Sequence, residues 1–98
     1  MGLYINPNTD KMDWLQRNST KLITGVPTEQ DFYDTPNDSF IVCYVDNGFF
    51  DALAVAFDLR ELKAFTDPGD PRSKLFAVVP KNNIKRHAPD YDHYVREG

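Results

Sequence analysis

The residue types that most often carry chemistry are few in this chain, and the clearest group lies between positions 87 and 93. His87, Asp90, Asp92 and His93 can all ligate metals, but their spacing matches no zinc pattern. Cys43 is the single cysteine and lies within an apolar run, so we expect a buried and unreactive thiol. These residues therefore predict neither a metal site nor a cysteine nucleophile.

A proline-rich segment is the other local group with chemical potential. Asp67, Asp70 and Arg72 would be held in fixed positions by Pro68 and Pro71, although prolines there also end a helix and lead into a strand. No glycine-rich phosphate-binding motif is present. We expect no catalytic residue and no cofactor, and an enzyme using residues 67–72 or 87–93 is the third hypothesis.

Charge is separated along the chain. The net charge is -4, and the pI is near 4.9. No basic residue lies between Lys21 and Arg60, whereas no acidic residue lies between Asp70 and Asp90. The first interval holds Glu29, Asp31, Asp34, Asp38, Asp46, Asp51 and Asp58, and the second holds Arg72, Lys74, Lys81, Lys85 and Arg86. Such segregation can steer a complementary partner, although the two segments can also simply attract one another.

The acidic interval contains the predicted binding site, because aromatic residues beside its carboxylates resemble interface anchors. We expect residues about 29 to 51 to form one acidic and aromatic surface that docks on a basic surface of another protein. The predicted binding residues are Asp31, Phe32, Tyr33, Asp34, Asp38, Asp46, Asn47, Phe49 and Asp51.

A nucleic-acid-binding accessory protein is the alternative. The basic 72–86 segment would contact phosphates, and Tyr91 and Tyr94 would be available for stacking. The low pI argues against this hypothesis. Two copies of the chain could also pair through an exposed strand edge or through Phe49 and Phe50.

A β-hairpin over about 39–57 is the strongest structural pattern among the elements that must position these residues. Asn47-Gly48 favours its tight turn. Both faces of the first strand are apolar, which predicts a central strand, and the alanine face of the second leaves room for a helix. Further strands are predicted at 3–5, 21–24 and 75–79.

Capping residues place the helices. One begins near Asp10 with Met12, Trp14 and Leu15 on its apolar side, Thr28 and Asp58 begin two more, and a last short helix covers about 80–87. The predicted class is α+β, with a small antiparallel sheet of three or more strands around the hairpin and short helices packed on it. We expect one domain over 1–88, with 89–98 as a flexible C-terminal tail.

The composition and the N-terminal residues also bear on location. No apolar run has the length of a signal peptide or a membrane span, so we expect a cytoplasmic protein that does not bind membranes.

Several short segments resemble a layout found in small uncharacterised accessory proteins of bacteriophages and mobile elements. These segments are residues 4–7 (YINP), 45–48 (VDNG), 65–72 (FTDPGDPR) and 79–80 (VP). They occur in the same order as in those proteins and extend over most of the chain. The resemblance brings no catalytic residue. It implies a class of role, because small acidic phage proteins often bind and inhibit a host enzyme or a defence complex.

Overall fold

The computed structural model describes residues 3–5, 7–46, 51–66, 73–88 and 91–92. No helix in these ranges has the length and apolar character needed to cross a membrane. In chain order the elements are β1 (Leu3–Ile5), α1 (Lys11–Asn18), β2 (Lys21–Ile23), α2 (Glu29–Tyr33), β3 (Ser39–Asp46), β4 (Asp51–Ala56), α3 (Leu59–Phe65), β5 (Ser73–Pro80) and α4 (Lys81–His87).

The five strands form one antiparallel sheet in the order β1-β4-β3-β5-β2. β3 and β4 pair from Ile41 opposite Ala56 to Asp46 opposite Asp51, which confirms the predicted hairpin. Its turn, residues 47–50, lies outside the described residues. β5 pairs with the other side of β3, so β3 is the central strand, as its two apolar faces predicted. The α+β fold class is confirmed.

Two separate apolar layers lie on the two faces of the sheet, because successive side chains of a strand point to opposite faces. The first layer contains Val42, Leu53, Val55 and Val79 from the sheet, Trp14 and Leu15 from α1, and Ile84 from α4. The second contains Ile41, Cys43, Ala54, Ala56 and Val78 from the sheet and Leu62 from α3, with Phe32 of α2 packed against it. Helices α1 and α4 therefore cover one face, and α2 and α3 cover the other.

The alanine face of β4 receives α3, as predicted. Ala54 and Ala56 are each 1 % exposed and lie in the same apolar layer as Leu62, which is 2 % exposed. Because the alanine methyl groups are small, α3 can pack closely against β4.

The predicted caps begin three helices. The Asp10 carboxylate accepts a hydrogen bond from the Asp13 amide at 2.9 Å, and the Asp58 carboxylate accepts one from the Glu61 amide at 2.8 Å. The placement of Met12 on the apolar side of α1 was wrong, because this side chain is 40 % exposed. The buried stripe is centred on Trp14 and Leu15 and leaves Met12 at its margin.

The apolar core continues past α4 to Tyr91. This residue is 5 % exposed and belongs to the first layer, where its ring contacts Phe40 and Phe57 at centroid distances of 6.4 and 6.3 Å. Tyr91 is therefore not available to stack on a nucleic-acid base. Of the predicted 89–98 tail, only Tyr91 and Asp92 lie within the described residues.

Candidate functional site

The two helix layers carry opposite charge. Counted with their cap residues, α1 and α4 hold five basic and two acidic residues, a net charge of +3. Counted in the same way, α2 and α3 hold five acidic and two basic residues, a net charge of -3. The charge separation along the sequence thus becomes a separation between the two sides of the sheet.

Helix α2 lies on the acidic side and is held by local hydrogen bonds. The Thr28 hydroxyl accepts from the Asp31 amide at 3.2 Å, while Oδ2 of Asp31 accepts from the Thr28 amide at 2.8 Å. This reciprocal arrangement is a capping box, which satisfies amides that a helix start leaves free. At the other end, Oδ1 of Asp34 accepts from the Gln30 side chain at 2.8 Å. Asp31 is therefore a structural residue of this helix.

Helix α2 is the one helix of the four in the described chain that contains no buried residue. Phe32 is half-buried against the second apolar layer, whereas Tyr33 is 65 % exposed. The two rings meet edge to face, with centroids 5.7 Å apart. An ion pair of 3.4 Å between Glu29 and Lys63 links α2 to α3. The helix is thus attached to the fold while presenting its outer side chains to solvent.

A concave surface, here named the aromatic pocket, lies between α2 and the ends of two strands. Its volume is about 270 Å³. Its lining residues are Phe32, Tyr33, Thr35, Pro36, Asn37, Ser39, Phe40, Ile41, Ala56 and Phe57. Phe40 and Phe57 form a second edge-to-face pair at 4.9 Å. Four of the ten lining residues are aromatic, and none is cationic.

The turn after α2 shapes the wall of this pocket. The Thr35 hydroxyl donates to the Asp31 carbonyl at 2.9 Å, and the Ser39 amide donates to the Pro36 carbonyl at 3.0 Å. Ser39 is 7 % exposed, and its hydroxyl donates to Oδ1 of Asp38 at 3.2 Å. These bonds fix the backbone between α2 and β3, so the pocket is part of the folded framework.

A second concave surface, here named the edge pocket, lies on the other side of the same turn. Its volume is about 210 Å³, and it follows the outermost strand β2. It is lined by Thr20, Lys21, Ile23, Asp31, Asp34, Thr35, Pro36 and Val78. Helix α2 therefore contributes aromatic residues to one pocket and carboxylates to the other.

The structure divides the predicted binding residues into two groups. Asp31, Phe32, Tyr33 and Asp34 lie together on or next to α2, and Asp38 lies in the turn before β3. Asp46 and Asp51 are paired backbone positions at the far end of the hairpin. β3 advances about 3.3 Å per residue, so its seven steps separate the two ends by roughly 23 Å.

The extended β3 therefore places the two groups at opposite ends of the hairpin, and one binding surface over residues 29 to 51 stays a prediction. Asn47 and Phe49 lie outside the described residues. The candidate site is the α2 group with its two pockets, which we name the α2 surface: Asp31, Phe32, Tyr33, Asp34 and Asp38 with the lining residues of the aromatic pocket and the edge pocket.

Sequence reasoning missed the strand residues that complete the site. Phe40 and Phe57 were assigned to the strand alternation, and Lys21 to a short strand with no role in binding. The signal that could have found Phe40 is its closeness to the Thr35-Pro36 turn, because the chain reverses there towards α2. The signal for Phe57 is the predicted hairpin, because a register that pairs Ile41 with Ala56 brings Phe57 beside Phe40. For Lys21 no local signal exists, since the pairing of β2 with β5 brings it near the turn.

Among the residues considered for catalysis or metal binding, those that the structure describes do not come together. Cys43 is fully buried in the second apolar layer, whereas His87 lies on α4 on the other side of the sheet, with its ring 5.5 Å from that of Trp14. Asp92 pairs with Lys85 at 3.7 Å. Within the described ranges no group of three or more potential ligands could hold a metal ion. Asp90, His93 and residues 67–72 lie outside those ranges.

Comparison of the chain with protein-family models, curated proteins and solved structures finds no match. The resemblance to small phage proteins, the cytoplasmic location and the possible pairing of two copies therefore stay predictions.

Proposed function

We propose that this chain is a small acidic protein-binding module that inhibits or modulates a host enzyme or defence complex. The α2 surface is its contact site. The partner presents a basic surface with a side chain that enters one of the two pockets beside α2.

The observation that carries this proposal is the lack of any buried residue in α2. The other three helices bury Trp14, Leu15, Leu62 and Ile84 in the core. These helices are therefore needed for the stability of the fold. Within α2 only the half-buried Phe32 packs against an apolar layer, and the capping box and the turn after the helix hold it in place. The exposed side chains of α2 are therefore not needed by the core and can contact a partner.

The chemistry of the α2 surface fits a basic partner. Tyr33 offers a large, half-exposed ring of a residue type that is enriched among interface hot spots. Asp34 and Asp38 are exposed on either side of the Thr35-Pro36 turn. Their negative charge would speed association with a basic surface and would weaken as salt is added.

The basic helices α1 and α4 on the other side of the sheet would help to orient a basic partner. The +3 charge of α1 and α4 would repel a basic partner, whereas the -3 charge of α2 and α3 would attract it. Like-charge contacts penalise the wrong approach, so the partner would meet the acidic side first.

Size supports a protein partner over a metabolite. The pockets measure about 270 and 210 Å³, below the about 300–1,000 Å³ usual for sites that enclose a whole small molecule. Each has the dimensions of a receptor for one side chain. The module would then act by occupying its partner.

Charge reversal with a matched control tests the proposal. Immobilised protein is used to capture partners from lysate, with Asp34→Lys as the test variant and Asp92→Lys as the control. Both variants change the charge equally, but Asp92 lies beside α4 on the basic side. We expect Asp34→Lys to lose the captured protein and Asp92→Lys to retain it, with both folded by circular dichroism. Equal capture by the two variants contradicts the proposal.

Nucleic-acid binding through α4 is the second candidate, favoured by one observation. Lys81, Lys85 and Arg86 are all exposed on this helix, within the layer of net charge +3. The test is a mobility shift with DNA and RNA at low salt. A salt-dependent shift that Arg86→Glu removes supports this candidate, and no shift at low salt rejects it.

A further inference from the structure

We propose that the aromatic pocket binds an arginine side chain of the partner protein. This inference rests on the proposed function and specifies the chemistry of its main contact. It assigns the pocket a ligand class, a side-chain-sized planar cation.

The aromatic content of the pocket supports a cation. Phe32 and Tyr33 form one edge-to-face pair, with planes at 80°, and Phe40 and Phe57 form another, with planes at 70°. The face of an aromatic ring is negative and attracts a cation, with about 0.5–2 kcal/mol for each favourable contact. Both ring pairs belong to residues that line this one cavity.

The charges around the pocket point to the same ligand. None of its ten lining residues is Lys, Arg or His, whereas Lys21 lines the edge pocket. Asp38 lies between the lining residues Asn37 and Ser39, and its Oδ1 accepts from the Ser39 hydroxyl at 3.2 Å. This bond places one carboxylate next to the wall of the pocket. A cation entering the pocket would therefore be attracted by the nearby Asp38 charge.

Arginine fits this arrangement better than lysine. The guanidinium is planar and weakly hydrated, so it can stack on a ring while its edge donates to a carboxylate. The lysine ammonium is strongly hydrated and loses more on entering an aromatic pocket. The geometry thus favours a ligand that combines a flat face with several donors at its edge.

A direct titration tests the assignment without the unknown partner. N-acetyl-arginine methylamide is added to the full chain, and amide shifts are followed by NMR. The neutral isostere N-acetyl-citrulline methylamide is the control ligand. We expect arginine to shift Thr35, Asn37 and Phe57 with millimolar affinity, and citrulline to bind about tenfold more weakly or not at all, because it lacks the charge.

Two substitutions at Tyr33 separate the ring from its hydroxyl. Tyr33→Phe keeps an aromatic face and should change the arginine affinity less than about twofold. Tyr33→Leu keeps an apolar side chain without the face and should weaken binding about fivefold, the equivalent of one cation–π contact. Tyr33 is 65 % exposed, so neither variant removes core packing.

The possible outcomes decide the matter. Equal binding of citrulline and arginine, or no shift at these residues with arginine, overturns the proposal even if a partner is captured through Asp34. Equal losses in Tyr33→Phe and Tyr33→Leu overturn it as well. The proposed function fails by a different result, equal capture by Asp34→Lys and Asp92→Lys, so the two failures are distinguishable.

Discussion

Replacing Asp31 with alanine separates the structural role of this carboxylate from a direct role in binding. Its Oδ2 accepts from the Thr28 amide at 2.8 Å and from the Thr28 hydroxyl at 3.2 Å. The substitution removes both bonds and one negative charge from the first turn of α2. Losses of this kind at a helix N-terminus cost about 0.5–2 kcal/mol, so we expect about 1 kcal/mol at this exposed position.

This energy should appear as local opening of α2. About 1 kcal/mol corresponds to about a fivefold change in an opening equilibrium. The amides of Phe32 and Asp34 donate within α2 to the carbonyls of Thr28 and Gln30, so they report on its closure. Their hydrogen exchange, measured by NMR, should accelerate about fivefold in Asp31→Ala, because exchange follows the open fraction.

The control for this experiment is Asp34→Ala. Asp34 accepts one exposed side-chain bond from Gln30, and its charge at the helix C-terminus is unfavourable, so exchange should change less than about twofold. Amides of the central strand, such as that of Val42, should be unaffected if α2 opens alone. Unchanged exchange in Asp31→Ala would refute the stabilising role of the capping box, and equal acceleration in β3 would refute local opening.

Three further predictions test the packing and the pH dependence of the fold. Leu62→Ala should lower the free energy of unfolding by about 2–5 kcal/mol in urea denaturation, because this side chain is 2 % exposed. The control Leu22→Ala should change the free energy of unfolding by less than about 0.5 kcal/mol, because Leu22 is 46 % exposed. Equal effects of the two substitutions would contradict the burial of Leu62 in the second layer. Ala54→Leu should lower the free energy of unfolding by about 1–3 kcal/mol in the same measurement, because a larger side chain would be overpacked between β4 and α3. An unchanged free energy of unfolding would contradict the close approach of α3 to β4. Burial, followed by the neighbouring Asp92 carboxylate, raises the pKa of Tyr91, so the folded state holds the phenolic proton more tightly than the unfolded state. The resulting stability is full below a pH of about 10 and is lost as the pH rises through the raised pKa. Tyr91→Phe should therefore reduce the alkaline loss of stability, and an unchanged pH profile would contradict the shift.

The local elements were largely predictable because their signals are contained in a few neighbouring residues. Asp10, Thr28 and Asp58 cap helices as predicted, since a side-chain oxygen at that position reaches amides two or three residues ahead. The two apolar faces of β3 predicted a central strand for an equally local reason. An alternating pattern with no polar side requires cover on both faces.

The arrangement of strands was not predictable in the same way. β1 pairs with β4 across about half of the chain, and β2 pairs with β5. No residue in either short edge strand encodes its neighbour, because their pairing depends on the closure of long loops and on the shape of the completed core. The pairing of β2 with β5 also forms one wall of the edge pocket, where Lys21 lies opposite Val78.

The small size of the core explains why three helices stabilise the fold while α2 is left for binding. A chain of 98 residues has a narrow stability margin, so a side chain that anchors the core cannot also be varied for a partner without loss of stability. Three helices contribute fully buried anchors, whereas α2 contributes only the half-buried Phe32. The remaining attachment of α2 comes from its capping box, its turn bonds and the ion pair to α3. Tyr33 and Asp34 can therefore vary to suit a partner, because their substitution removes no side chain from either apolar layer. A site on α2 therefore separates the requirements of recognition from those of folding.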